Sequence, residues 1–323
     1  MFRIAAFLGL IGLIAATAII AWSGYDDVLK ALAIAGFGIV WTSLYHLFPM
    51  ICCIIGWRAL LPSREKRSHG FFLYLLWLRA SINNLMPVAR IGGEIVSARV
   101  MIKHGISKPV AIASTVVETT TSVLAVFVFD ILGIGMFAFH VGANNTVLRL
   151  AAGLLFTIPV LAALLTVQRY GFFGLLNKVF SLMLRDKWKK FAGDTDALDG
   201  AVHAMYRQHK RVIICGFWQF MSWFTGAGEI WLALHFLGHT VSLEKAIMIE
   251  ALIQATASAA FAVPGAIGVQ EAGFVLFGHM LGLSPDIAAA LAVIRRCRDL
   301  LLFVPGLIAW QIQEGHWLLK RKH

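Results

Sequence analysis

One apolar run carries three guanidiniums and a carboxylate within five positions: Ala-Val-Ile-Arg295-Arg296-Cys-Arg298-Asp299-Leu-Leu. On a helix Arg295, Arg298 and Asp299 share a face, and Arg296 points about 100° away. Even conservative scales put an arginine at a transmembrane helix centre at about 2.5 to 3.5 kcal/mol, so three of them must face a protein interior or a wet cavity. Carboxylates in other apolar runs are candidate partners: Glu94, Glu118, Glu229, Glu250 and Glu271. Arg79, Arg90 and Arg99 add positive charge around the first half of the chain.

Two kinds of chemistry are open to these groups. In one, Arg296, Asp299, Glu229, Glu250, Arg79 and Arg90 neutralise each other as an ion-pair network that holds helices together. In the other, surplus arginines hold an anionic or strongly polar lipid head group, because a planar guanidinium donates paired hydrogen bonds and stays charged when dehydrated. The second reading takes Arg295, Arg298, Glu271, Glu94, Glu118, Arg99, Asn84 and Gln270 as the substrate site. Asn83 and Asn84 are equally suited to satisfying free backbone groups.

The elements that must position these groups come in two copies. Pro87, Glu94, Gly105 and Ser107 recur 177 positions later as Pro264, Glu271, Gly282 and Ser284. The same shift places Glu118 against Arg295, so the two are expected to meet across a pseudo-twofold axis. In each copy a proline or glycine break splits a short apolar stretch. Such a break reads as a helical hairpin that re-enters or spans the membrane, its irregular tip buried in protein or water. Pro87, Gly92, Gly93, Pro264, Gly265 and Gly268 are its backbone residues, since no strand and helix pattern surrounds them as a nucleotide loop requires.

With 59% hydrophobic and 14% charged residues, a chain of 323 residues is a polytopic membrane protein. The net charge of +11 is not a nucleic-acid signal, because the Lys and Arg outside the apolar runs sit in short connections. The expected architecture is all-α: a helical bundle with inverted repeats, six full crossings and two broken hairpins. A retained span at 4–20 comes first. Residues 29–139 form the first repeat of span, hairpin and span, with Pro49 kinking its opening helix and Trp57 as an interfacial anchor. Residues 148–167 are a linking span, 171–184 an interfacial amphipathic helix, 185–211 a cytoplasmic loop, and 212–311 the second repeat. Three crossings between the hairpins invert the second copy, and the basic connections then fall on one side with both termini cytoplasmic.

The run Pro264 to Gly273, Pro-Gly-Ala-Ile-Gly-Val-Gln-Glu-Ala-Gly, together with Gly92-Gly93-Glu94 and Arg99, resembles the flippase region of lysylphosphatidylglycerol synthases. The resemblance covers nearly the whole chain. Within that family, the Arg-Arg-Cys-Arg-Asp helix and the length look most like hopanoid-biosynthesis-associated membrane proteins. It implies an inner-membrane protein that moves a hopanoid or anionic phospholipid between leaflets, with Glu94, Glu271 and Arg99 in the central site. Hopanoid-biosynthesis proteins are the partners it implies. The synthase's lysine transfer does not carry over, because the chain has no room for that soluble domain.

Enzyme chemistry finds little support. No His-x-x-x-His or His-Glu-x-x-His metal spacing is present, nor a Ser, His and Asp set in polar context, so neither cofactor nor metal is expected. Cys52, Cys53, Cys215 and Cys297 lie in apolar stretches and read as packing residues. A membrane-embedded lipid-modifying enzyme using Glu118 or Glu271 as base, and a scaffold for hopanoid enzymes, stand as alternatives to lipid translocation.

Overall fold

The computed structural model describes residues 33–86, 92–142, 145–171, 195–259 and 268–319. Its helices, numbered in chain order, are α1 (Gly38–Tyr45), α2 (Leu47–Leu60), α3 (His69–Leu85), α4 (Gly92–Lys103), α5 (Lys108–Val141), α6 (Asn145–Tyr170), α7 (Thr195–Tyr206), α8 (His209–Phe236), α9 (Leu243–Ala259), α10 (Val269–Met280) and α11 (Pro285–Leu319). The described residues contain no strand. The expected span at 4–20, the amphipathic stretch at 171–184 beyond Gly171, and the hairpin residues Pro87, Arg90, Pro264 and Gly265 lie outside the described residues.

The bundle presents apolar side chains outward and polar ones inward. Gly38–Leu60, α5 and Asn145–Gln168 are long and apolar enough to cross a membrane by length and composition. Leu155, Phe156 and Val160 of α6 and Leu301, Ile308 and Ile312 of α11 stay exposed, as lipid-facing positions do. The expected crossings at 212–237 and 285–311 are α8 and α11, of 28 and 35 residues. Both have the length to span but fall short in apolar composition. Gln219, Ser222 and Glu229 interrupt α8, and the 295–299 charges interrupt α11. Gln219, Ser222, Glu229, Arg296, Arg298 and Asp299 are all buried.

The sequence repeat is a structural one. Helices α4 and α10 have 12 residues each and start 177 positions apart, at Gly92 and Val269. Each ends on a glycine in the left-handed region, Gly105 at φ 84° and Gly282 at φ 92°. The next amide then bonds back five residues, Ile106 N–H to the Met101 carbonyl at 3.1 Å and Leu283 N–H to the Gly278 carbonyl at 2.8 Å. This closes the helix with its last carbonyls satisfied. Ser107 and Ser284 follow, and the long helices α5 and α11 begin. Packing exchanges accordingly: α5 lies against α9 as α11 lies against α3, the α3 and α4 pair recurs as α9 and α10, and α2 packs on α8. This exchange of partners is the contact pattern that inverted repeats require.

Several local expectations change. The opening helix breaks at His46, and Pro49 falls in the first turn of α2, where its missing N–H costs nothing. Trp57 is fully buried rather than interfacial, because its indole lies under the Arg79 guanidinium, 4.9 Å from the ring centroid. Residues 195–206, read as part of a loop, form α7. Its Leu198, Val202 and Met205 are buried, at a helical spacing that supplies one apolar face, and α7 packs on α5. At one end of the bundle Arg67 donates to the His104 carbonyl at 3.1 Å, and Glu65 accepts from the Ser107 N–H at 3.1 Å. These contacts bring the basic 58–67 segment onto the 103–108 turn.

Candidate functional site

Helix α11 pairs each of its arginines with a different neighbour. Arg295 grips Glu250 of α9 through three hydrogen bonds of 2.7 to 2.9 Å. Arg296 donates from Nε to Glu271 Oε1 at 2.5 Å. Arg298 donates from Nη1 to both oxygens of Glu229 at 2.8 Å and from Nε to Asp299 Oδ1 at 3.0 Å. Glu229 also meets His46 Nδ1 at 2.7 Å, and the same imidazole nitrogen lies 3.0 Å from Arg298. One turn of α11 thereby ties together α9, α10, α8 and the break between α1 and α2.

A second cluster belongs to the first half. Arg79 of α3 holds Glu118 of α5 bidentately, with Nη2 to Oε1 at 2.9 Å. Glu118 is fully buried and accepts a further bond from Gln219 Nε2 of α8 at 2.8 Å. Glu118 and Arg295 therefore do not pair across the axis. The first hairpin helix of its own repeat, α3 or α9, presents the opposite charge to each and takes up the fork.

The two hairpins place a carboxylate at equivalent positions. Glu94 and Glu271 are each the third residue of a short helix, where the free amides of the first turn favour negative charge. Glu271 Oε2 accepts from the Gly268 N–H at 2.7 Å, and Gly268 sits at φ 80°, a conformation that suits glycine. Glu94 accepts from Asn83 Nδ2 at 3.2 Å to both oxygens, while Asn83 Oδ1 takes the Gly93 N–H at 2.9 Å. The hairpin contact thus belongs to Asn83. Asn84 instead turns its amide to the Ala80 carbonyl of its own helix at 2.9 Å. Gln270 is half-buried beside Glu271 on the first turn of α10.

Arg99 lies apart from this centre: its Nη2 meets Glu314 Oε1 near the end of α11 at 2.8 Å. Sequence reasoning missed Glu314 because it ended the last helix at 311, and missed His46 and Gln219 because each is a lone polar residue in an apolar run. Four guanidiniums in the central clusters, Arg79, Arg295, Arg296 and Arg298, face six carboxylates, Glu94, Glu118, Glu229, Glu250, Glu271 and Asp299. Within these two clusters the described carboxylates outnumber the guanidiniums, and each of the four arginines is engaged by a carboxylate. Each arginine reaches a carboxylate because burying an unpaired charge would cost several kcal/mol.

The family model described as the lysylphosphatidylglycerol synthase TM region matches residues 9–306. The chain belongs to this family. No curated protein and no solved structure matches it significantly. The match to the lysylphosphatidylglycerol synthase TM region spans both halves and every charged group of the two central clusters, while Glu314 lies beyond it. Membership connects this membrane protein with lipids, in keeping with a bundle whose apolar side chains face outward.

Proposed function

We propose that the protein translocates a lipid with a polar head group between the leaflets of the bacterial inner membrane, without catalysing a reaction on it. The observation that carries this reading is the symmetric pair of hairpin carboxylates, Glu94 and Glu271, on first turns related by the repeat. Glu271 keeps 30% of its side chain exposed although its partner Arg296 keeps only 7%. Broken helices that present such groups between two pseudo-symmetric halves are the arrangement alternating-access carriers use. Positive connections at 58–67 and 103–108 favour the cytoplasmic side for that end of the bundle.

Open carboxylates favour a head group rich in hydroxyl or amine donors. A hopanoid with a hydroxylated head meets this requirement, whereas an anionic phospholipid needs an arginine released from its carboxylate. Liposomes holding the purified protein, with labelled phosphatidylglycerol, a neutral polyol lipid and an amine-bearing lipid compared, test the reading. Exchange of one of them that folded Glu94→Gln and Glu271→Gln both slow is the expected result. No exchange of any lipid by folded wild type overturns translocation.

Full pairing of the central arginines supports a second reading, a non-transporting scaffold for hopanoid-biosynthesis proteins. It predicts that neutral replacement of Glu94 or Glu271 leaves function in the cell intact.

A further inference from the structure

Helix α5 carries one buried carboxylate that neither cluster uses. Asp130 is 4% exposed, and its Oδ1 is buried without a hydrogen-bond partner. It sits one turn before Gly133, where α5 and α9 approach so closely that a Cβ on Gly133 would stand 2.1 Å from the Ala251 Cβ. That crossing brings Asp130 near Glu250, the neighbour of Ala251 in sequence. Glu229 of α8 is turned instead to Arg298 and His46. Phe129, Ala227, Ile247 and Ala251 make the surroundings apolar.

An isolated ionised carboxylate in such a place is too costly to persist, and a second negative charge beside Glu250 raises the cost. Among the described residues no group of three His, Cys, Asp or Glu side chains is placed to hold a metal ion. We infer that Asp130 is a proton-binding site, linked through Glu250 to Arg295, and that a proton taken up and released there drives or gates the lipid movement. The transport half of this inference rests on the translocation reading above. With the proton bound, Asp130 is neutral and Glu250 keeps Arg295 to itself. When the proton leaves to water, the new carboxylate competes for Arg295 and loosens the contact between α9 and α11.

Two measurements on the full-length protein test this. Infrared difference spectra between acid and alkaline pH should show a protonated-carboxyl band that the near-isosteric Asp130→Asn lacks; an unchanged band set in a folded variant overturns the proton site whether or not lipid moves. In liposomes, an imposed pH gradient should change the initial rate of lipid exchange severalfold in wild type and leave Asp130→Asn indifferent. Wild-type exchange that ignores the gradient overturns coupling and leaves translocation standing. Absence of all exchange overturns translocation and, with it, the coupling, while the infrared band alone decides proton binding.

Discussion

Glu118 and Arg295 occupy the same position in the two halves of the chain, and each is clasped bidentately by the first hairpin helix of its own repeat: Glu118 by Arg79, Arg295 by Glu250. The two pairs have the same geometry and opposite polarity. A repeat kept only for its charges would have preserved the signs. What is kept is the pairing, which points to a requirement for neutral, rigid contact at both places.

Breaking one clasp should therefore be expensive. Arg79→Gln leaves Glu118 fully buried without its counter-ion and should destabilise the protein by about 3 to 5 kcal/mol, as loss of one partner of a buried pair does. Arg79→Leu with Glu118→Leu should cost less than either single change. Thermal unfolding in detergent, run as a double-mutant cycle, reads the difference; additive effects would show that the pair is not coupled.

The paired caps at Gly105 and Gly282 should respond alike. Replacing either by Ala forces a side chain into the left-handed region and should cost about 1 to 2 kcal/mol. Melting temperatures that fall by similar amounts in the two variants would support equivalent structural roles. A neutral result at one position would mean that its turn is not under the same constraint.

At the hairpins, Glu94→Gln keeps one of the two oxygens that accept from Asn83 and removes the charge. If Glu94 touches the moving head group, lipid exchange should fall about tenfold, the loss of roughly 1.4 kcal/mol, without a matching loss of stability. The same substitution at Glu314, outside the proposed site, should lower stability near Arg99 and spare exchange per folded molecule.

Docking of α7 uses its apolar face and a polar chain through Tyr206. Tyr206 donates to Gln168 Oε1 at 2.6 Å, and Gln168 Nε2 donates to Thr120 at 2.7 Å. Tyr206→Phe strips a partner from the buried Gln168 and should cost about 1 to 3 kcal/mol. Hydrogen exchange in α7 should quicken first, and protection unchanged from wild type would contradict this account of its anchoring.

Sequence by itself determined that the chain is helical and membrane-bound, and that it contains two copies of one unit. Hydrophobic runs, a 177-residue shift and the placement of Gly and Pro are local signals, because a lipid-embedded backbone must satisfy itself within each helix. It likewise identified the charged residues that had to be buried together. Which acid meets which arginine was decided only by tertiary structure. Glu118 lies beside Arg79, and Arg296 beside Glu271, through helix crossings that no single-helix periodicity encodes. His46, Gln219 and Asp130 were silent in the sequence for the same reason: a lone polar residue in an apolar run has no meaning until the neighbouring helix sets a partner, or no partner, against it.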